Sequence, residues 1–326
     1  MDSPVTYIIV RSYFMADFIL EAFKGRDDVV IVRHTPRRGV AAALLKPLRM
    51  ALGNPRGLFN GSIFTDEFCA VLPRIKANDR VILWGVENYK YVMMMARELP
   101  AARIVSFLWN PMKRLAPGSA AARRYASGMR RMGVDVCTFD RRDSEAVCCR
   151  LVPQVHRKID LGAVTPSRSV FFIGCEKGRE ELLADIITRL EADGIDSDIR
   201  IVRSRHHRFV GEQIERRLVD GFVSYSEVLD AIARSSCLID IVQPGQTGVT
   251  LRTIEAMFYG KKLITNNTAV REHPFYHPSR VYLFGEEPQR TLREFIDTAA
   301  EPFDDRFAEP FCVERWIENI FNSDKK

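Results

Sequence analysis

Apolar residues in this chain come in short runs, separated by stretches with helical spacing. In the first half the runs are Tyr7–Val10, Val29–Val32, Val81–Trp84, Arg103–Leu108 and Asp135–Phe139. They are mostly β-branched and nearly continuous, the pattern of strands covered on both faces. Between them, Met15–Phe23, Phe64–Ile75 and Tyr89–Leu99 carry apolar positions at helix spacing. Strands alternating with helices imply a parallel sheet with crossover helices. Val152–Ser169 breaks the pattern with prolines and polar residues, and the domain boundary is placed there. The alternation then restarts. Strands are predicted at Val170–Ile173, Asp198–Val202, Cys237–Val242, Lys262–Thr265 and Val281–Phe284. Helices are predicted at Arg179–Ala192, Ser226–Arg234, Leu251–Tyr259 and Val313–Phe321. The reading is an α/β chain of two Rossmann-like domains, 1–155 and 156–326, whose parallel sheets face a central cleft. The terminal helix is free to pack back on the first domain. Open parallel sheets bind ligands beyond the carboxyl ends of their strands.

Length and composition narrow this picture. The 326 residues suit two ordinary domains, and 46% hydrophobic with 28% charged residues excludes disordered, collagen-like and coiled-coil chains. No run approaches the roughly 20 apolar residues of a membrane helix. The opening MDSPVTYIIVRS has neither the basic nor the long apolar region of a secretory signal, so a cytoplasmic protein is expected. The seven cysteines include no C-x-x-C pair, which argues for small buried hydrophobes in a reducing compartment rather than a zinc cluster or disulfide framework.

A net charge of +6 favours an anionic partner. Val29–Thr65 contains no carboxylate but carries Arg33, Arg37, Arg38, Lys46, Arg49 and Arg56. Lys113–Arg131 contains none either, against Lys113, Arg114, Arg123, Arg124, Arg130 and Arg131. Within the first block, Val40–Leu52 (VAAALLKPLRMAL) reads either as an interfacial helix on anionic lipid or as a buried helix. No nucleic-acid motif appears. No G-x-G-x-x-G follows a predicted strand, which disfavours a dinucleotide oxidoreductase.

The most informative stretch is Asp240–Asn267, DIVQPGQTGVTLRTIEAMFYGKKLITNN. A strand gives way to a Gly-containing loop, Gln243–Gly248, which feeds a helix starting near Thr250 or Leu251. Such a helix start presents backbone N–H groups to an anion. Arg252 adds a cation in the first turn, and Glu255 lies three residues on, on the same face. Gly260 ends the helix as a C-cap, with Lys261 and Lys262 complementing its dipole.

This stretch resembles the nucleotide-sugar motif of GT-B fold glycosyltransferases, through Gly248, Glu255-Ala256-Met257, Gly260 and the strand Lys262–Thr265. Phe172–Arg179 (FIGCEKGR) resembles the strand and loop that open their C-terminal domain, and Thr138-Phe139-Asp140 the end of their last N-terminal strand. Counting back from Glu255, Thr247 and Thr250 stand where commoner members carry an acidic residue and a second glycine. The likeness is to transferases of bacterial lipopolysaccharide, capsule and exopolysaccharide synthesis.

The resemblance implies a nucleotide-diphosphate sugar as donor and co-substrate, no cofactor and no metal. Asp196-Ser197-Asp198 has Asp-x-Asp spacing but leads into a strand. It implies that Glu255 holds the donor ribose and that Gln246, Thr247, Gly248 and Thr250 lie against phosphates or sugar. Gly174 admits the ligand close to the backbone, and Tyr225 sits by the base. Lys177, Arg179 and Arg252 neutralise the leaving diphosphate. The acceptor is a glycan or lipid-linked, met at the inner face of the cell membrane. A base for an inverting reaction would come from His34, Glu87, Asp140 or Asp17. Trp109, in SFLWNP, either stacks on a sugar or plugs the core. His206 and His207 alternate faces and read as surface residues. Two other readings are a sugar-nucleotide 2-epimerase of the same fold and a non-catalytic binding subunit of a membrane glycosylation complex.

Overall fold

A computed structural model of the chain describes residues 3–11, 13–35, 64–99, 102–110, 112, 118–167, 169–175, 178–203, 211–243, 245–286 and 290–322. Lys177, Pro111, the His206-His207 pair, the Val40–Leu52 stretch with its lysine and arginine, and Lys113 and Arg114 lie outside these residues. The chain divides into two compact units: Met1–Pro153 with Ile317–Lys326, and Gln154–Trp316.

The first unit carries a six-stranded, all-parallel sheet. Its strands are β1 (Thr6–Val10), β2 (Val29–Arg33), β3 (Arg80–Trp84), β4 (Arg103–Leu108), β5 (Val134–Thr138) and β6 (Arg150–Leu151), in the order β2-β1-β3-β4-β5-β6. β1, TYIIV, is buried throughout, because helices cover both faces of the sheet. Ile9, Val81, Leu83, Val92 and Met95 are among the buried members of its core. In this unit the helices Ser119–Arg131 and Arg141–Val147 are not predicted by periodicity, and the longer of them is Ser119–Arg131. Its buried apolar side chains are Ala122, Tyr125, Ala126 and Met129. Two of these four are alanines, so the apolar stripe is weak and the arginines dominate the sequence signal. Of these, Arg123, Arg124, Arg130 and Arg131 are exposed.

The second unit carries β7 (Val170–Cys175), β8 (Ser197–Val202), β9 (Leu218–Val219), β10 (Cys237–Asp240), β11 (Lys262–Thr265) and β12 (Val281–Leu283). All are parallel, in the order β12-β11-β10-β7-β8-β9. Renumbered from β7, this is the Rossmann order, and its topological switch point lies between β7 and β10. β10 stops at Asp240, two residues before the apolar run does. Beyond it, the Val242 amide donates to the Asn266 side chain at 2.8 Å instead of to a neighbouring strand. The helix after β9 is capped by Ser224: its side chain accepts from the Glu227 amide, and Glu227 reaches back to the Ser224 backbone. A glutamate at the third helical position completes a capping box, and that fixes the start at Tyr225, one residue before the predicted Ser226.

Candidate functional site

Three loops meet at the carboxyl ends of β7, β10 and β11. Arg179, just past β7, donates from its two terminal nitrogens to the carbonyls of Cys175 and Ile241. One guanidinium therefore ties the end of β7 to the end of β10 across the switch point. Burial lowers its pKa. Gly174 leaves the room this needs: a Cβ there would stand 3.2 Å from the Phe172 ring and 3.5 Å from the Arg179 guanidinium.

From β10 the chain turns at Gln243–Gln246, closed by the Gln246 amide donating to the Gln243 carbonyl at 3.0 Å. Gly245 has φ of 84°, a left-handed conformation that glycine adopts without strain. Asn267, at the end of β11, holds the far side of the loop by donating to the carbonyls of Thr247 (3.5 Å) and Gly248 (3.4 Å). Thr250 then caps the Leu251–Phe258 helix by accepting from the Thr253 amide at 3.2 Å. The hydroxyls of Thr250 and Thr253 both donate to one oxygen of Asp240, at 2.6 and 2.8 Å. Burial pushes the Asp240 carboxyl up, against the pull of these hydroxyls, Arg252 and Arg179. Strand end, loop and helix start are thus one hydrogen-bonded unit.

Glu255 lies inside that helix and is 1% exposed. Its Oε2 accepts from Arg252. Its Oε1 accepts from the Tyr225 hydroxyl at 2.6 Å and faces His156 Nε2 at 3.4 Å. His156 Nδ1 accepts the Arg157 amide at 2.8 Å, which assigns the ring proton to Nε2, and the Tyr225 oxygen lies 2.8 Å from that nitrogen. Burial alone would raise the Glu255 carboxyl; Arg252, His156 and Tyr225 outweigh it and hold it below the usual range. A charged carboxylate is therefore kept ready in a dry setting. Arg252 also lies over the Phe171 ring, 5.4 Å from its centroid.

In the first unit, the carboxyl ends of β1, β3 and β4 carry an aromatic cluster. Trp84 and Trp109 are 5.1 Å apart, and Tyr13 stands 6.4 Å from Trp109 and 4.7 Å from Phe14. Tyr13 and Phe14 are exposed at 43% and 39%. Glu87 accepts from the amides of Trp109 (2.9 Å) and Asn110 (3.1 Å), which fixes this edge. The other proposed bases have structural partners. His34 is 1% exposed, bonded to Thr65 at 3.1 Å and to the Tyr91 hydroxyl, and Asp140 is a buried helix cap accepting from the Asp143 amide. Asp17 pairs with Arg33 at 2.8 Å. Among the described residues no group of three His, Cys, Asp or Glu side chains is placed to hold a metal ion.

No protein-family model and no curated protein matches the chain. Solved structures do. The Anabaena protein HepE, crystallised with UDP and glucose, is 14% identical across 98% of this chain and 99% of its own, with a TM-score of 0.58. HepE in complex with UDP-glucose gives 12%, 98% of each chain and 0.57. An alpha-glucosyltransferase crystallised with UDP-glucose and DNA containing an abasic site gives 9%, 97% and 95%, and 0.55. The chain has the two-domain α/β fold of the GT-B enzymes.

The structure brings Arg179, Gly174, Gln246, Thr247, Gly248, Thr250, Arg252, Glu255 and Tyr225 to one edge of the second sheet. Asp140 and His34 belong to the other unit. Four residues that complete the site are not evident from motifs: His156, Asp240, Asn266 and Asn267. Asn266 and Asn267 follow a predicted strand, a place where a polar pair is a usable signal. His156 sits in a Pro-rich connecting stretch 99 residues from Glu255, and no spacing rule reaches that far.

Proposed function

We propose that this protein is a metal-independent glycosyltransferase that moves a sugar from a nucleotide-diphosphate donor to a glycan or lipid-linked acceptor. The observation that carries it is the buried, charged Glu255 with Arg252 beside it, one turn into the helix that follows the β7/β10 switch point. Crystallised relatives of the same fold bind UDP or UDP-glucose. In this reading the Glu255 carboxylate takes the donor ribose hydroxyls through charge-assisted hydrogen bonds. Arg252 and Lys177 meet the diphosphate, where charge grows as the sugar bond breaks. Arg179, committed to two carbonyls, holds the loops that shape the site. The sugar end of the acceptor stacks on Tyr13 and Trp109, since aromatic faces match the apolar face of a pyranose. The basic first unit suits surface-polysaccharide synthesis at an anionic membrane face.

A panel of nucleotide sugars, screened by thermal shift and followed by nucleotide release, tests the reading. One donor should raise the melting temperature and be turned over, in EDTA as well as without it. Loss of turnover in EDTA with recovery in Mn²⁺ or Mg²⁺ would refute metal independence, and a panel without a hit would refute the function.

A further inference from the structure

Glu255 presents an accounting problem for any ligand. A carboxylate offers about four lone-pair directions. In this structure Oε1 takes Tyr225 and His156, and Oε2 takes Arg252. A vicinal diol brings two O–H donors, so a resident donor has to leave. His156 is 0% exposed and is pinned through Nδ1 by the Arg157 amide, and Tyr225 is 9% exposed. The Arg252 side chain is 14% exposed, against 2% for Glu255, and it rests on the Phe171 face rather than in a cage of acceptors. Arg252 is the donor that can move. A guanidinium leaving a carboxylate in a low-dielectric site needs another anion, or the charge is left uncompensated.

We propose that Arg252 is an exchangeable placeholder on Glu255: donor binding moves its guanidinium from Oε2 to the diphosphate while the ribose hydroxyls take its place. His156 and Tyr225 keep Oε1 throughout, as positioning residues that hold the carboxylate's direction during the swap. This rests on the nucleotide-sugar reading above. Its consequence is that ribose and diphosphate bind cooperatively. A nucleoside without phosphate has to displace Arg252 with nothing to receive it, so the site selects nucleoside diphosphates over nucleosides beyond the direct contribution of the phosphate contact.

The test compares uridine and UDP by calorimetry, with guanosine and GDP, and adenosine and ADP, in parallel. In Arg252→Met the placeholder is gone and the stem's volume is kept. UDP should weaken by about tenfold or more, the loss of a charge-assisted contact. Uridine should bind tighter, by roughly threefold to tenfold, because Oε2 is vacant. If Arg252 only contacts phosphate, or only supports the fold, uridine affinity stays equal or falls, and the exchange is overturned. Should Arg252→Met fail to fold, the wild-type protein answers instead. With 15N-labelled arginine, one guanidinium signal, assigned by its loss in Arg252→Lys, should shift on adding UDP and stay put with uridine. A signal that ignores UDP, or moves equally with both, overturns the exchange while UDP binding keeps the nucleotide reading intact. Wild-type protein that binds none of the three diphosphates removes both.

Discussion

The ring of His34 stacks 5.1 Å from that of Tyr91, with both nitrogens engaged, and burial pushes its pKa from 6.5 down to about 4. Between those values the unfolded chain takes up a proton that the folded chain does not. Stability from this residue is therefore complete above pH 6.5 and falls as the pH drops toward 4. The gap, 6.5 − 4, corresponds to about 3 kcal/mol. Melting curves should show the wild type losing more stability than His34→Gln between pH 6.5 and 4.5, since glutamine does not titrate. Parallel curves would mean that His34 is not the source. Position beyond a strand made His34 a candidate base in the sequence, but position says nothing of the Phe64 and Phe68 rings that pack around it. Arg252 and Glu255 are different: three residues apart on one helix, their pairing was readable because helix geometry alone brings them together.

At the scale of elements, the Leu251–Phe258 helix is anchored through its first residues. Thr250 caps it and at the same time bonds Asp240, so one hydroxyl joins helix to strand. Thr250→Val keeps the volume and removes both bonds, leaving Thr253 as the hydroxyl donor to the buried Asp240 among the described residues. The expected cost is about 1–3 kcal/mol, the range for a lost cap or an unmet buried acceptor. Thermal unfolding should place Thr250→Val a few degrees below wild type and Thr250→Ser close to it. Equal melting of Thr250→Val and wild type would show that the link adds nothing. Strand and helix placements were legible wherever the apolar period was strong, and slipped where side-chain bonds set the ends. Val242 leaves the ladder for Asn266, and Ser224 captures the helix start through Glu227.

Across the whole molecule, the basic residues divide by structure. Arg33 is paired with Asp17, and Arg130 donates to the Cys148 carbonyl at 2.8 Å. Arg123, Arg124 and Arg131 lie exposed along one helix. If this surface meets anionic lipid, vesicles rich in phosphatidylserine should carry the protein in flotation at low salt and release it at high salt. Replacing these three arginines with glutamine should weaken binding by about 1 kcal/mol each. A protein that stays with the soluble fraction at low salt refutes the membrane assignment. Among the described residues no helix is long and apolar enough to cross a membrane.

The alternation of apolar runs determined the parallel sheets and the two-unit organisation by itself, because burial on both faces leaves a continuous hydrophobic signature that local sequence must carry. The loop ahead of Leu251 and the Arg252–Glu255 pair were local too, lying within one strand–loop–helix unit. Strand order was not local, and with it came the switch point where Arg179 joins β7 to β10. Only folding brings His156 and Tyr225 onto the oxygen of Glu255 that Arg252 leaves open. Those contacts join residues 30 and 99 positions from Glu255, and the low dielectric that gives them their strength exists only once the surrounding side chains have closed over them.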